Sequence, residues 1–288
     1  MSANSPQVTT STGRVLSFDP TQLSPNALLK EALERPGILS TAYSRFHEYS
    51  LGNRLAVIIQ CMLRKIEPGP FAAYAAWQKL DRQVRRGEKA LFIMHPMMRT
   101  ETDEATGKKQ DVLVGFTWKP TAFVIAQTEG EDLELAEQVP FDLLETLKAP
   151  KIEIVPFDMA DGNALGFAKP GRKVAVSKVS PRPSRTLMHE IGHVILGHCD
   201  KAEIVDGAEL TRSTQEVEAE SFSYIVCAML NMGGTDDEAA ESRGYIRSWM
   251  ESGGKDGWTD ANSRRVFSAV DRFLSLTKKR ASTTEVAA

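Results

Sequence analysis

Two histidines four residues apart, with a glutamate following the first, stand in the segment His189-Glu190-Ile191-Gly192-His193. Residues four apart on an α-helix lie on one face, one turn from each other, so both imidazoles can meet a single metal ion. Glu190 is offset from that face and can reach a water on the ion rather than the ion itself. Two imidazoles suit Zn²⁺, and a catalytic zinc takes three protein ligands and keeps one position open. The flanking residues Leu187, Met188, Ile191, Val194 and Ile195 mark the helix as buried, and imidazoles without partners are costly in such a place. The chemistry implied is hydrolysis: the ion acidifies water and polarises a peptide carbonyl, and Glu190 serves as general base and then as proton donor to the leaving amine.

The third ligand must come from elsewhere. Leu196 and Cys199 stand where a metzincin would need glycine and histidine, which excludes that class. His198 follows the helix-ending Gly197; it reaches the metal only awkwardly and fits better as a polar cap. The segment from Ser213 to Phe222 offers better donors. Glu216, Ala219, Ser223 and Cys227 share one helical face, and the small residues allow a close approach to the first helix. Glu216 is the preferred ligand, with Glu218 and Glu220 as alternatives; Glu220 can instead hold a ligand histidine by its other ring nitrogen. Ser213-x-x-Glu216 also reads as a capping box. Tyr245 is either an oxyanion donor or a core tyrosine. The strand Val174-Ala175-Val176, just ahead of the helix, is a candidate edge for an extended peptide.

These residues need a scaffold, and the hydrophobic period supplies one. Helices are expected at 26–34, opened by Ser24-Pro25, at 41–65 and at 74–80. Strands follow at 90–94, 112–116 and 122–125, with an exposed hairpin loop over 99–111. Beyond an acidic, turn-rich stretch at 129–140 come a short helix at 141–147 and strands at 152–155 and 174–176. Helices then dominate, at 184–197, 213–231, 237–252 and 260–276. The expected fold class is α+β in two domains: an N-terminal helix-plus-antiparallel-sheet domain over 23–130 and a C-terminal HExxH domain over 131–278. Residues 1–22 and 279–288 read as loose tails.

Composition sets the class. The 288 residues are 42% hydrophobic and 25% charged, as in a soluble globular protein, and no apolar run is long enough to cross a bilayer. Three widely spaced cysteines read as reduced thiols in a cytoplasmic protein. The net charge of −3 conceals an asymmetry: residues 41–125 carry 13 Lys and Arg against 8 Asp and Glu, whereas residues 126–288 carry 19 against 27. The first segment suits a polyanion. Arg82, Arg85, Arg86 and Lys89 gather near Tyr74 and Trp77, with Trp118-Lys119 at a strand end. Single-stranded DNA binding needs this combination of cations for phosphates and flat rings for bases; core packing and a solvated turn are the competing readings for the individual residues.

The chain resembles the ArdC-type antirestriction proteins, which join a single-stranded-DNA-binding domain to a metallopeptidase domain related to the ImmA/IrrE group. The segments carrying the resemblance are Tyr49-Ser-x-x-Asn53, Trp77-x-x-Leu80, Val84-Arg-Arg-Gly-Glu-Lys89, Phe123-x-x-x-Gln127-Thr-Glu-Gly130, His189 through His198, Glu216-x-x-Ala219 and Tyr245-Ile-x-Ser-Trp249. The resemblance implies zinc held by His189, His193 and Glu216, with Glu190 catalytic. It also implies binding to single-stranded DNA and protection of incoming plasmid or phage DNA from restriction. Two other readings share the residues: a regulatory zinc peptidase that cleaves a repressor-type protein, and a non-catalytic DNA-binding protein with a structural zinc domain.

Overall fold

The computed structural model of the chain describes residues 7–9, 15–17, 23–35, 37–45, 49–102, 108–133, 141–158, 164–199, 204–205, 208–232, 236–252 and 258–284. In chain order these form strands β1 (Gln7–Thr9) and β2 (Val15–Ser17), then helices α1 (Pro25–Glu34), α2 (Ile38–Arg45) and α3 (Leu51–Arg64). Strand β3 (Phe71–Ala73), helix α4 (Tyr74–Lys79), and strands β4 (Arg82–Val84), β5 (Leu91–Thr102), β6 (Lys109–Val124) and β7 (Thr128–Gly130) follow. Next come α5 (Leu143–Lys148), β8 (Glu153–Ile154), β9 (Gly166–Lys169), β10 (Lys173–Val176) and α6 (Pro183–Leu196). The chain continues through β11 (Ile204–Val205), β12 (Ala208–Glu209), α7 (Arg212–Leu230), α8 (Asp236–Ser252) and α9 (Asp260–Thr284). Helix and sheet are mixed throughout. Among the described residues no helix is long and apolar enough to cross a membrane.

Two units divide the chain: Met1–Leu23 with Arg45–Leu135, and Ser24–Ser44 with Ala136–Ala288. Residues 24–44, expected within the N-terminal domain over 23–130, group with the second unit, where α1 packs on α8 and α9. Ser24 accepts from Ala27 N–H and opens α1, whose Leu28, Leu29, Ala32 and Leu33 are buried. The single helix expected over 41–65 is two helices, the second restarted by Ser50, whose side chain accepts from Asn53 N–H.

In the first unit, β5 and β6 form a long antiparallel hairpin and β3 joins its other side, giving the order β3-β6-β5. The strands run on to Thr102 and restart at Lys109, so most of the loop expected over 99–111 is strand; residues 103–107 lie outside the described set. Strand β5 is the sheet edge, and α3 covers it. Asn53 exchanges two hydrogen bonds with the Met94 backbone, at 3.0 and 2.7 Å, and Gln60 two with Phe92, at 2.8 Å each. Carboxamides seven residues apart on a helix thus act as a surrogate strand and satisfy an edge that is otherwise open to pairing. Most of the N-terminal tail expected to be loose lies outside the described residues, but β1 and β2 within it pair antiparallel.

In the second unit, α6 packs between the sheet β8-β10-β9 and helix α7, and α9 closes the other side of both helices. Met188, Ile191, Phe222 and Phe273 are fully buried there, the two phenylalanines edge to face at 5.7 Å. Gly192 sets the spacing: a β-carbon there would lie 2.9 Å from Phe222 Cδ1 and 3.3 Å from the Ala219 carbonyl oxygen. Strand β10 is the centre of its sheet, not the edge expected of Val174–Val176; the edge facing the helix N-terminus is β9. The period there was too short to separate a central from an edge strand. Helix α9 continues to Thr284, past the start of the tail expected at 279.

Candidate metal centre

Helix α6 begins at Pro183, whose ring pre-sets the first turn, and carries His189, Glu190 and His193. Helix α7 is capped by Thr211, which accepts from Thr214 N–H. The capping box expected at Ser213 and Glu216 therefore does not form, and the Glu216 carboxylate is released to face α6. His189 Nε2 lies 3.2 Å from Glu216 Oε2 and 3.2 Å from His193 Nε2, and His193 Nε2 lies 3.5 Å from Glu216 Oε2. Ligands at about 2.0–2.1 Å on a tetrahedral ion stand about 3.3 Å apart. The triangle has that size. His189, His193 and Glu216 are the one His, Cys, Asp and Glu group of this kind among the described residues.

The electrostatics have the same sense. Burial lowers the His189 pKa, but bonds to Glu216 and Glu220 outweigh it and push the ring up to about 9. His189, the first of its partners, holds the Glu216 carboxyl far below the usual carboxylate range, against its own burial. A proton on His189 thus balances the carboxylates where a cation would otherwise sit. Burial pushes Glu190 above the ordinary range, with the two imidazoles opposing it. Its carboxylate faces Gly166: a β-carbon there would lie 2.7 Å from Glu190 Oε1 and 3.0 Å from the Ala175 carbonyl. Nothing in the local sequence around Gly166 announced that role, because the clash is with residues distant in the chain.

Each imidazole is held from behind. His189 Nδ1 lies 3.1 Å from Glu220 Oε2, and Arg185 and Ser242 donate to Glu220 Oε1 at 2.6 and 2.5 Å. Burial raises the Glu220 carboxyl, yet these partners bring it down to about 2. Glu220 therefore stands behind His189 rather than in the triangle. His193 Nδ1 lies 3.0 Å from His198 Nδ1, and His198 Nε2 lies 2.9 Å from Glu218 Oε2. Glu218 is fully buried and faces away from the triangle, so it is not a ligand. Burial holds His198 below the ordinary histidine range despite that carboxylate.

Tyr245 is 44% exposed, not a core tyrosine. Burial, the Glu216 charge and the Glu220 charge raise its phenol above the usual range, and its side chain bonds Trp249. A cavity of about 460 Å³ opens beside His189, Glu190 and Glu220 and reaches Leu165 and Gly166.

The expected DNA-contacting residues divide. Trp77 is 1% exposed and donates from Nε1 to the Phe123 carbonyl at 2.9 Å, so it belongs to the core. Arg82 is 7% exposed, with Nε donating to Thr128 Oγ1 at 2.9 Å and its guanidinium to the Gly130 and Glu131 carbonyls. Arg85 donates to the Ala126 and Thr128 carbonyls at 2.6 and 3.2 Å. Gln127 is buried, accepting from Val124 N–H and donating to Glu88 and the Lys89 carbonyl. The Arg-Arg-Gly-Glu-Lys and Gln-Thr-Glu-Gly segments thus lock β4 against β7. Arg85, Arg86, Lys89 and Lys119 are exposed, as is Tyr74, whose hydroxyl accepts from Gln83 at 2.6 Å. Trp118 is half-buried and donates to the Leu23 carbonyl at 3.0 Å.

Comparison with known proteins gives three findings. Residues 30–130 match the family model of the N-terminal domain of anti-restriction factor ArdC. The metal-free crystal structure of the antirestriction ArdC protein from the R388 plasmid aligns over 92% of this chain and 99% of its own, at 18% identity and a TM-score of 0.51. Its Mn(II)-bound structure aligns over 92% and 98%, at 14% identity and a TM-score of 0.53. A comparison with curated proteins returns no match.

Proposed function

We propose that this chain, an ArdC-type protein by its N-terminal family match and its fold, is an antirestriction factor. Its first unit binds single-stranded DNA and its second is a zinc-dependent, zincin-like peptidase domain. The reading is carried by one observation: two imidazoles and a carboxylate converge at 3.2–3.5 Å, with a second carboxylate, Glu190, beside them but outside the triangle. His189, His193 and Glu216 would hold the ion. Two nitrogens and one oxygen suit Zn²⁺, and the R388 relative was crystallised with Mn(II). A divalent ion there supplies Lewis acidity for a peptide carbonyl and a water acidified toward neutrality.

The remaining steps belong to the chain. Glu190 takes the proton of the attacking water and passes it to the leaving nitrogen; its raised affinity for protons suits the second half of that task. Ser177 N–H bonds the Leu165 carbonyl, so alternation along β9 turns the Gly166 and Ala168 backbone groups away from β10 and toward a further strand. An extended peptide paired on that edge passes the cavity beside Glu190. Tyr245, whose phenol burial and then the Glu216 and Glu220 charges keep protonated, would donate to developing negative charge. Metal uptake displaces the proton from His189 below its pKa of about 9. Apparent Zn²⁺ affinity should therefore rise about tenfold per pH unit up to about pH 9 and then level off. Calorimetry in buffers of different ionisation enthalpy should show release of about one proton per ion at pH 7.

For the first unit, Arg85, Arg86, Lys89 and Lys119 are the exposed cations of the expected set and Tyr74 is its exposed ring. Charge reversal at Arg86 and Lys89 should weaken single-stranded DNA binding and reduce its salt slope by about 0.7 for each lost contact. Arg82→Ala should behave differently. It strands the Thr128 and Gly130 acceptors and should cost about 3 kcal/mol of stability in the first unit. Denaturant titration beside a binding isotherm separates the two. Restriction protection of incoming DNA, measured on these variants and on Glu190→Gln, tests the whole reading. Protection untouched by all of them would contradict it.

A further inference from the structure

A run of hydrogen bonds leads from α9 to the face of His193 opposite the triangle, and its direction follows from the donors and acceptors with His198 neutral, the form its burial favours. Thr259 N–H and Oγ–H both donate to Asn262 Oδ1, at 2.9 and 2.8 Å, which turns Asn262 Nδ2 toward Glu218 Oε1 at 3.0 Å. Arg265 Nε also points at Glu218, 3.2 Å from Oε1, and another guanidinium nitrogen donates to the Leu196 carbonyl. An amide nitrogen and a guanidinium can only donate, so Glu218 is an acceptor on every side. His198 Nε2, 2.9 Å from Glu218 Oε2, must then carry the proton. A neutral His198 ring is left with a lone pair on Nδ1, and the group 3.0 Å away is His193 Nδ1. That nitrogen must donate. Its proton fixes the lone pair of His193 on Nε2, which faces His189 and Glu216.

We infer that His198 and Glu218 are positioning residues that hold His193 in the tautomer presenting Nε2 to the donor triangle. The inference rests on the metal-site reading above, and it makes the two ligands differently supported. His189 reaches a carboxylate directly, through Glu220. His193 reaches one through a second ring. Local folding explains why His198 is in range. Gly197 ends α6 at φ +84°, with His198 N–H bonding the His193 carbonyl at 2.9 Å and Gly197 N–H the Val194 carbonyl at 3.2 Å. This left-handed closure returns the chain, so the residue after the glycine lies beside the residue five before it. The His198 side chain is 2% exposed and that of Glu218 fully buried. Water therefore does not compete for these bonds, and the order of donors holds.

The test uses the full chain, labelled with ¹⁵N in the histidine rings and free of metal. The expected spectrum shows the His193 proton on Nδ1 and the His198 proton on Nε2. In His198→Phe the His193 preference should be lost, and Zn²⁺ affinity, read by competition with a chromophoric chelator, should fall about 10–100-fold. His198→Asn, whose Oδ1 takes the place of the ring acceptor, should recover most of that loss. A wild-type His193 protonated on Nε2 overturns the inference, and so does a folded His198→Phe that binds Zn²⁺ as tightly as wild type. If His198→Phe does not fold, the wild-type ring spectrum still decides. A wild type that shows the Nδ1 proton but binds no Zn²⁺ defeats the metal reading and leaves the tautomer assignment standing.

Discussion

Glu190→Gln is expected to lower cleavage of any peptide that the wild-type chain hydrolyses by about 10²–10⁴-fold, the usual range for a lost general base, while the ion stays bound. Glutamine keeps the shape of the side chain and its place beside Gly166, so the α6 packing survives. It cannot accept the proton of an attacking water. Glu190 is not among the three donors that converge, so removing its charge should change metal affinity little. A peptide-library screen on wild type supplies the substrate, and a parallel metal titration supplies the control. Equal cleavage by both proteins would remove Glu190 from the chemistry; loss of metal would make it a ligand. Restriction protection measured on the same variant then says whether hydrolysis underlies it.

Glu216→Ala should have the opposite profile: metal lost first, and hydrolysis with it. Deleting a direct donor should exceed the roughly 10–100-fold loss typical of a partner behind a ligand, because two imidazoles alone leave half the coordination to water. The proton balance should move too. Glu216 is the first of the partners that raise His189 to about 9, so in this variant the His189 ring should titrate lower, toward the ordinary histidine range. Ring titration by NMR reads that shift without any ion present. Glu218→Ala, by contrast, leaves all three donors in place and reaches them through His198, so its loss of metal affinity should fall within the milder range, while the stranded Asn262 and Arg265 donors cost stability as well.

The two helices of the site were legible because their spacing is periodic: His189, His193 and the apolar residues between them repeat every three or four positions. The nearness of Glu216 to the two histidines was legible from the small residues on its face, and Gly192 against Ala219 is the contact they permit. Glu220 behind His189 followed from its place one turn on. The role of His198 was not legible, since its nearness to His193 depends on the left-handed closure at Gly197 and its order on Glu218, Asn262 and Thr259. No local pattern encodes a partner 44 residues away.

Part of the N-terminal cluster is buried for a related reason. Arg82 and Trp77 look like part of a cationic, aromatic surface in sequence, yet both are buried, their donors taken by Thr128, Gly130 and the Phe123 carbonyl through the pairing of β4 with β7 and the approach of α4 to β6. Short strands such as β3, β4 and β7 span three residues each, too few for a period of two to stand out. The packing of α1 onto α9 rests on contacts such as Asn26 N–H to Asp260 and Ser263 to Asn26, more than 230 residues apart. Hydrophobic spacing marked α1 as a helix but carried no information about its partner.

The most direct measurement is equilibrium dialysis of the ion-free chain against Zn²⁺, and separately against Mn²⁺, beside the His189→Ala/His193→Ala/Glu216→Ala variant. One ion per wild-type chain, absent from the triple variant at the same free concentration, is the predicted result. No saturable binding to wild type, or equal binding to both proteins, would contradict the convergence of those three side chains on one cation.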